Sequence, residues 1–197
     1  LVSDQNNQGV AAGVPWDRSP VPKEYGITGL GPVKLTVPDL EPTARVLTEI
    51  MNFRHKGSYP AIEKGQPDIE VFETGEGGTG AEVHIEPRND LSRERPGRGS
   101  VHHVAFRVDN EEELAAWHKK IKKERIPNSG LVDRYYFQSL YFREPNGILF
   151  ELATDGPGFT TDESAEHLGE RVALPPFLED ERAAIEAKLT PLDTTRK

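Results

Sequence analysis

In the stretch SVHHVAFRV, residues 100–108, two histidines stand side by side at the head of an otherwise apolar run. A second apolar run, ILFELAT at 148–154, carries one carboxylate, Glu151, near its middle. Adjacent residues of an extended strand point to opposite faces. On that parity Val104, Phe106 and Val108 form an apolar face, and His103 shares the other with Ala105 and Arg107. His102 has the opposite parity but stands at the mouth of the strand. In ILFEL the apolar set is Ile148, Phe150 and Leu152, with Glu151 on the other side; in SLYFRE, 139–144, Leu140 and Phe142 pack inward while Ser139, Tyr141 and Arg143 do not. An imidazole, a carboxylate and a phenol therefore aim at one concavity. Histidine and glutamate from separate strands are natural ligands of Fe(II), Mn(II) or Zn(II). The alternative is that His103 caps a strand end and Glu151 is a solvated carboxylate, and spacing alone leaves both readings open.

These residues need elements to position them, and an internal repeat supplies the frame. PVKLTVPDLEP (32–42) aligns with HVAFRVDNEEE (103–113) at an offset of 71 residues. Each segment reads as a strand, an acidic turn and an amphipathic helix. The first helix, about 41–52, presents Ala44, Leu47, Ile50 and Met51; the second, about 110–124, presents Leu114, Trp117 and Ile121 with lysines opposite. Three strand-like segments follow each helix: roughly 53–62, 68–75 and 81–87 in the first unit, and 131–138, 139–144 and 148–154 in the second. GEGGTG (75–80) and EPNG (144–147) are turn signals. The predicted fold class is α+β, with paired βαβββ modules forming an open metal-binding cup. A single mixed sheet of six to eight strands with helices on one side is the competing architecture. The predicted organisation is an extended arm over 1–26, a module without metal ligands over 27–90, a module with them over 99–156, and a tail over 157–197. In the tail LPPFLEDERAAIEAKL suggests a short helix with Phe177, Ile185 and Leu189 as an apolar stripe.

The 197 residues carry a formal charge of −9, no sustained basic face and no cysteine. Nucleic-acid binding is disfavoured, disulfide and thiolate chemistry are excluded, and a reducing cytoplasm fits. No apolar run approaches a membrane span and no signal-peptide pattern opens the chain.

HHVAFRV, the helix after it, and YFREPNGILFELAT together resemble the final module of the vicinal-oxygen-chelate superfamily. The match is closest to the ring-cleaving dioxygenases that open hydroquinones, through DRYYFQSLYFREPNGILFELATDGPGF, the tail LGERVALPPFLEDERAAIEAKL and the entry PWDRSPVPKEYGI. It covers essentially the whole chain, as the C-terminal half of such an enzyme. The resemblance implies that His103 and Glu151 are metal ligands and that His102, Arg134 and Tyr141 line the pocket. It implies Fe(II) foremost, with Mn(II) or Zn(II) as alternatives, and insertion of both atoms of O2 beside a phenolic hydroxyl of an aromatic substrate. Arg134 would stabilise an anionic ring, and Tyr141 or His102 would donate or shuttle a proton. The plainer alternatives are a surface ion pair of Arg134 with Asp133 and a packing role for Tyr141.

One departure matters. In the resembling enzymes a third ligand, a histidine, comes from an N-terminal half that has no counterpart here. At the position of the first unit that matches His103 stands Pro32, which has no donor atom. His84 faces the first cup and reads as structural; His55, His118 and His167 have no evident partner in the sequence. The chain therefore reads as a fragment, as one part of a split enzyme, or as a homo-oligomer in which two copies surround one metal. Beside the dioxygenase, a glyoxalase-like isomerase or lyase and a non-catalytic module that binds small molecules remain as function classes.

Overall fold

The computed structural model describes residues 8–192; the first seven residues of the expected arm and the last five of the tail lie outside that range. Its strands form two four-stranded sheets. The first holds β1 (Val33–Val37), β2 (Arg54–Tyr59), β3 (Ile69–Glu73) and β4 (Glu82–Pro87) in the order β1-β4-β3-β2. Strand β1 runs parallel to β4, and the β4–β3 and β3–β2 pairs are antiparallel. The second sheet holds β5 (Val104–Arg107), β6 (Asn128–Asp133), β7 (Gln138–Arg143) and β8 (Leu149–Ala153) in the order β5-β8-β7-β6. The strand order is thus repeated, and the alternative of one large mixed sheet is ruled out. The described residues pack as two compact units, residues 8–104 with 143–149, and residues 105–142 with 150–192.

In the first unit VKLTV alternates as its parity demands. Leu35 and Val37 are buried beside Val83 and Ile85 of β4, while Lys34 and Thr36 take the other face. The helix α1 (Leu40–Arg45) starts at Asp39, whose carboxylate accepts from the Glu41 amide and so relieves one of the unpaired N–H groups of the first turn. After Arg45 the helix widens into a π turn over Val46–Ile50, closed by a bond from the Met51 amide to the Val46 carbonyl. An i→i+5 turn advances the apolar stripe by a residue. The buried set is Thr43, Val46, Leu47 and Met51 rather than the expected Ala44, Leu47, Ile50 and Met51.

The second unit repeats the start of that design. Asn110, which is 71 residues beyond Asp39, caps α2 (Glu111–Lys123) by accepting from the Glu113 amide. Leu114 and Ile121 are fully buried, with half-buried Trp117 between them under the Lys120 ammonium, 4.8 Å from its ring. The strands after each helix start and stop within about three residues of the sequence reading except β6, expected over 131–138, which ends at Asp133 where the Tyr135 loop begins. The tail differs more. A 3-10 turn over Pro176–Glu181 leads into α3 (Arg182–Glu186), and neither buries a residue. Phe177 is 75% exposed and Leu189 49%, so the predicted stripe is not packed. Five residues of helix are too few to present two turns of a stripe to any surface.

Candidate functional site

In the second unit β7 and β8 build a polar patch into an apolar sheet. Leu140 and Phe142 of β7 are buried on one side, and Phe142 packs edge-on against Phe150 of β8 with ring centroids 5.8 Å apart. Ser139 and Tyr141 take the opposite parity. The hydroxyl of Ser139, itself fully buried, donates a short hydrogen bond to Oε1 of Glu151. Glu151 is only 3% exposed between Phe150 and Leu152, so it is not the solvated strand carboxylate of the plainer reading. Burying a carboxylate costs several kcal/mol unless donors or cations compensate it, and the Ser139 hydroxyl is one such donor.

Tyr141 joins the same face. Its hydroxyl accepts from Nε of Arg134 at 3.2 Å, and the guanidinium lies over its ring at 5.1 Å from the centroid. A strained loop holds Arg134 there. Asp133 at the end of β6 spends Oδ1 on the Tyr135 amide (2.7 Å), not on an ion pair with its neighbour. The Tyr136 amide donates to the Arg134 carbonyl and the Arg134 amide to the Phe137 carbonyl, each at 2.8 Å. These bonds force Tyr135 to φ 68°, a left-handed conformation that costs a tyrosine on the order of 1–3 kcal/mol. Tyr136 anchors the loop by donating its hydroxyl to Asp162 Oδ2 at 2.8 Å. Burial and then the Asp162 carboxylate push its pKa up to about 12.

The two histidines correct the parity argument. Strand β5 begins at Val104, so His102 and His103 precede it and do not alternate across it. Their Nδ1 atoms meet at 2.9 Å, with the rings nearly perpendicular at 87°. One ring must donate and the other accept; where His103 donates, its Nε2 is the lone-pair nitrogen, the form a metal ligand requires. His102 is exposed and His103 half-buried. His103 belongs to the first unit and Glu151 to the second.

The corresponding face of the first sheet has different chemistry. Cross-strand neighbours Lys34 and His84, and Thr36 and Glu86, stand in register on β1 and β4. Glu86 pairs with Lys34 at 2.8 Å, and Lys56 bridges Glu82 at 2.7 Å and Glu73 at 3.2 Å. His84 is held between the Tyr59 hydroxyl and Glu82, both at 3.0 Å. Hydrogen bonds from Lys56 to Glu73 and from Lys34 to Glu86 hold both carboxyls below their ordinary range. In Glu82 burial pushes upward, but the bonds from Lys56 and His84 prevail and its pKa is also lowered. His84 is thus the structural histidine of the sequence reading. His55 and His167, which had no evident partner, bond Glu70 at 2.5 Å and Glu170 at 2.8 Å. His118 is half-buried on α2.

Whether these residues suit a metal depends on donor kind and donor number. The kind fits: an imidazole and a buried carboxylate match Fe(II), Mn(II) or Zn(II). The number falls short, because no group of three or more His, Cys, Asp or Glu among the described residues could hold a metal ion. Ser139 is the residue that sequence reasoning left out of the site. The parity of SLYFRE had already set it beside Tyr141, but only the bond to Glu151 gives it a role.

Comparison with known proteins bears on this arrangement. The profile of the Glyoxalase/Bleomycin resistance protein/Dioxygenase superfamily matches residues 29–152. MhqA of Bacillus subtilis (strain 168), whose name assigns it to the ring-cleaving dioxygenases, is 56% identical over 192 residues, 98% of this chain and 60% of that protein. The chlorohydroquinone/hydroquinone 1,2-dioxygenase of Sphingobium indicum is 33% identical over 168 residues, 84% of this chain and 50% of its own length. A solved structure assigned as a dioxygenase from Bacillus subtilis subsp. subtilis str. 168 superposes with a TM-score of 0.81 at 31% identity, covering 94% of this chain and 58% of that one. The chain spans between half and three-fifths of the length of these relatives. No helix among the described residues is long and apolar enough to cross a membrane.

Proposed function

The chain belongs to the glyoxalase/bleomycin resistance protein/dioxygenase superfamily, and from that premise we propose that it forms the catalytic portion of a ring-cleaving, extradiol-type dioxygenase. Its substrates would be a hydroquinone- or catechol-like aromatic and O2, handled in the cytoplasm. The observation that carries the reading is the buried Glu151, held by Ser139 on the face that also presents Tyr141 with Arg134. The names of MhqA and of the Sphingobium enzyme support the choice of chemistry.

His103 and Glu151 would hold a divalent metal, Fe(II) first and Mn(II) or Zn(II) as alternatives. A third donor would come from outside this chain, either from the polypeptide that the longer relatives carry in addition or from a second copy. When bound, such a metal lowers the pKa of a phenol beside it and keeps coordination positions open for small ligands. The protein groups do the rest. Arg134 supplies a fixed positive charge for a phenolate or for negative charge developing on the ring. Tyr141 accepts from Arg134, which leaves its own proton to be donated elsewhere. His102 shares a proton with His103 through their Nδ1 atoms and can pass one to or from substrate. The buried setting of Glu151 keeps water away from the anionic ligand.

Metal analysis of the purified chain, alone and with the remaining polypeptide of a longer relative, tests this reading. Stoichiometric iron or manganese that is lost in His103→Ala is the expected result. The iron-loaded assembly should then consume O2 with a hydroquinone. Turnover without O2 would favour an isomerase, and no uptake from an assembled, iron-loaded protein would sink the proposal.

A further inference from the structure

We propose that Ser139 is a positioning residue for Glu151, fixing that carboxylate for a metal before the metal arrives; the inference rests on the ligand role proposed for Glu151. Three observations carry it. The Ser139 hydroxyl donates to Oε1 of Glu151, and both residues are more than nine-tenths buried. Ser139 lies in the middle of paired backbone, opposite Val132 of β6, and Gln138 just before it is tied to Thr154 by a bond from its amide to the Thr154 hydroxyl at 3.1 Å. Its place on β7 is therefore set by the sheet. Glu151 is enclosed between Phe150, 0% exposed, and Leu152, 2% exposed, both in the packed layer.

A glutamate side chain has three torsions to freeze, and an unheld ligand loses that freedom when the ion binds. A hydroxyl donating to the carboxylate restricts the torsions during folding and forms a charge-assisted bond that orients the plane of both oxygens. Partners of this kind behind metal ligands typically contribute about 10–100-fold to metal affinity. A serine at this point suits the task. It is short enough to sit within the sheet and has a single proton to donate, so it neither competes as a ligand nor adds charge.

Mn(II) titrated into the chain assembled with the remaining polypeptide of a longer relative, and followed by electron paramagnetic resonance, tests the inference. Ser139→Ala should weaken Mn(II) binding about 10–100-fold, Ser139→Thr should restore most of it, and the effect of Ser139→Ala should vanish when Glu151 is already alanine. A purely structural serine would lower the unfolding midpoint without that coupling. If Ser139→Ala does not fold, Ser139→Cys keeps the volume with a much weaker donor and should show an intermediate loss. Parent-like affinity in the folded alanine or cysteine variant overturns the inference alone. A parent assembly that binds no Mn(II), or one whose binding survives Glu151→Ala, overturns the ligand reading and the inference together.

Discussion

The two sheets share one strand order but hold the glutamates of their polar faces in different ways. In the first, Glu73, Glu82 and Glu86 each face a lysine, and His84 is bridged on both ring nitrogens. The charges neutralise one another across β1, β2, β3 and β4. In the second, a buried carboxylate is met by a hydroxyl, and a guanidinium is met by a phenol. A neutral donor stabilises an anion without cancelling its charge, and a phenol leaves an arginine cationic. One architecture thus accommodates two arrangements: glutamates paired with lysines on the first face, and on the second a buried glutamate bonded to a serine hydroxyl beside an arginine bonded to a phenol.

Exchanging the emphasis of the two faces should break the comparison most sharply. Glu151→Ala should reduce divalent-metal affinity by at least about 100-fold, whereas His84→Ala should leave it within about threefold, both measured by calorimetric titration. Equal losses would mean that the faces are not functionally distinct. A smaller effect comes from the EPNG turn. There Thr43 donates to the buried Glu144 at 2.5 Å, and Asn146 bonds both Thr43 Oγ1 at 2.8 Å and the Asp39 carbonyl at 2.7 Å. Thr43→Val should cost about 1–3 kcal/mol in urea unfolding, because a buried carboxylate loses a donor, and Thr43→Ser should recover much of it.

The pH dependence should differ in direction between the units, with the smallest effects. The carboxyls of Glu73, Glu82 and Glu86 are lowered on folding, so their contribution is complete above the ordinary carboxylate range and is lost as pH falls through their folded values. Glu86→Gln should accordingly matter at neutral pH and not in strong acid. Tyr136 is raised to about 12, so its contribution holds below the ordinary tyrosine value and fades as pH climbs toward 12. Tyr136→Phe should remove the last tyrosinate step from an ultraviolet titration and cost on the order of 1 kcal/mol at neutral pH. If no tyrosine titrates late, the anchor from Tyr136 to Asp162 is not maintained in solution.

Much of this was legible in the residues, where local pattern governs. Alternation in SLYFRE identified the buried face of β7, and the repeat at 71 residues located both helices. Pattern failed where geometry left the regular period. The first helix buries Thr43 and Val46 rather than Ala44 and Ile50, and it ends in a π turn at Val46–Ile50 that the 3.6-residue period does not describe. The strand that would have separated His102 from His103 begins at Val104, after both of them. Glu151 was visible as a carboxylate in an apolar strand, but its enclosure and its bond to Ser139 depend on a pairing between β7 and β8 that no local spacing records.

The bond between Thr43 and Glu144 spans 101 residues, and the segment 143–149 belongs to the first unit although its sequence neighbours on both sides belong to the second. During synthesis the first unit therefore cannot finish when its own strands have been made. At about 5–20 residues per second, Thr43 waits roughly 5–20 s for the turn that completes its surroundings. Over that interval the ribosome carries a first sheet whose four strands are all made while Thr43 still lacks its partner carboxylate, and excising the second copy of the repeat from the gene would take that partner with it.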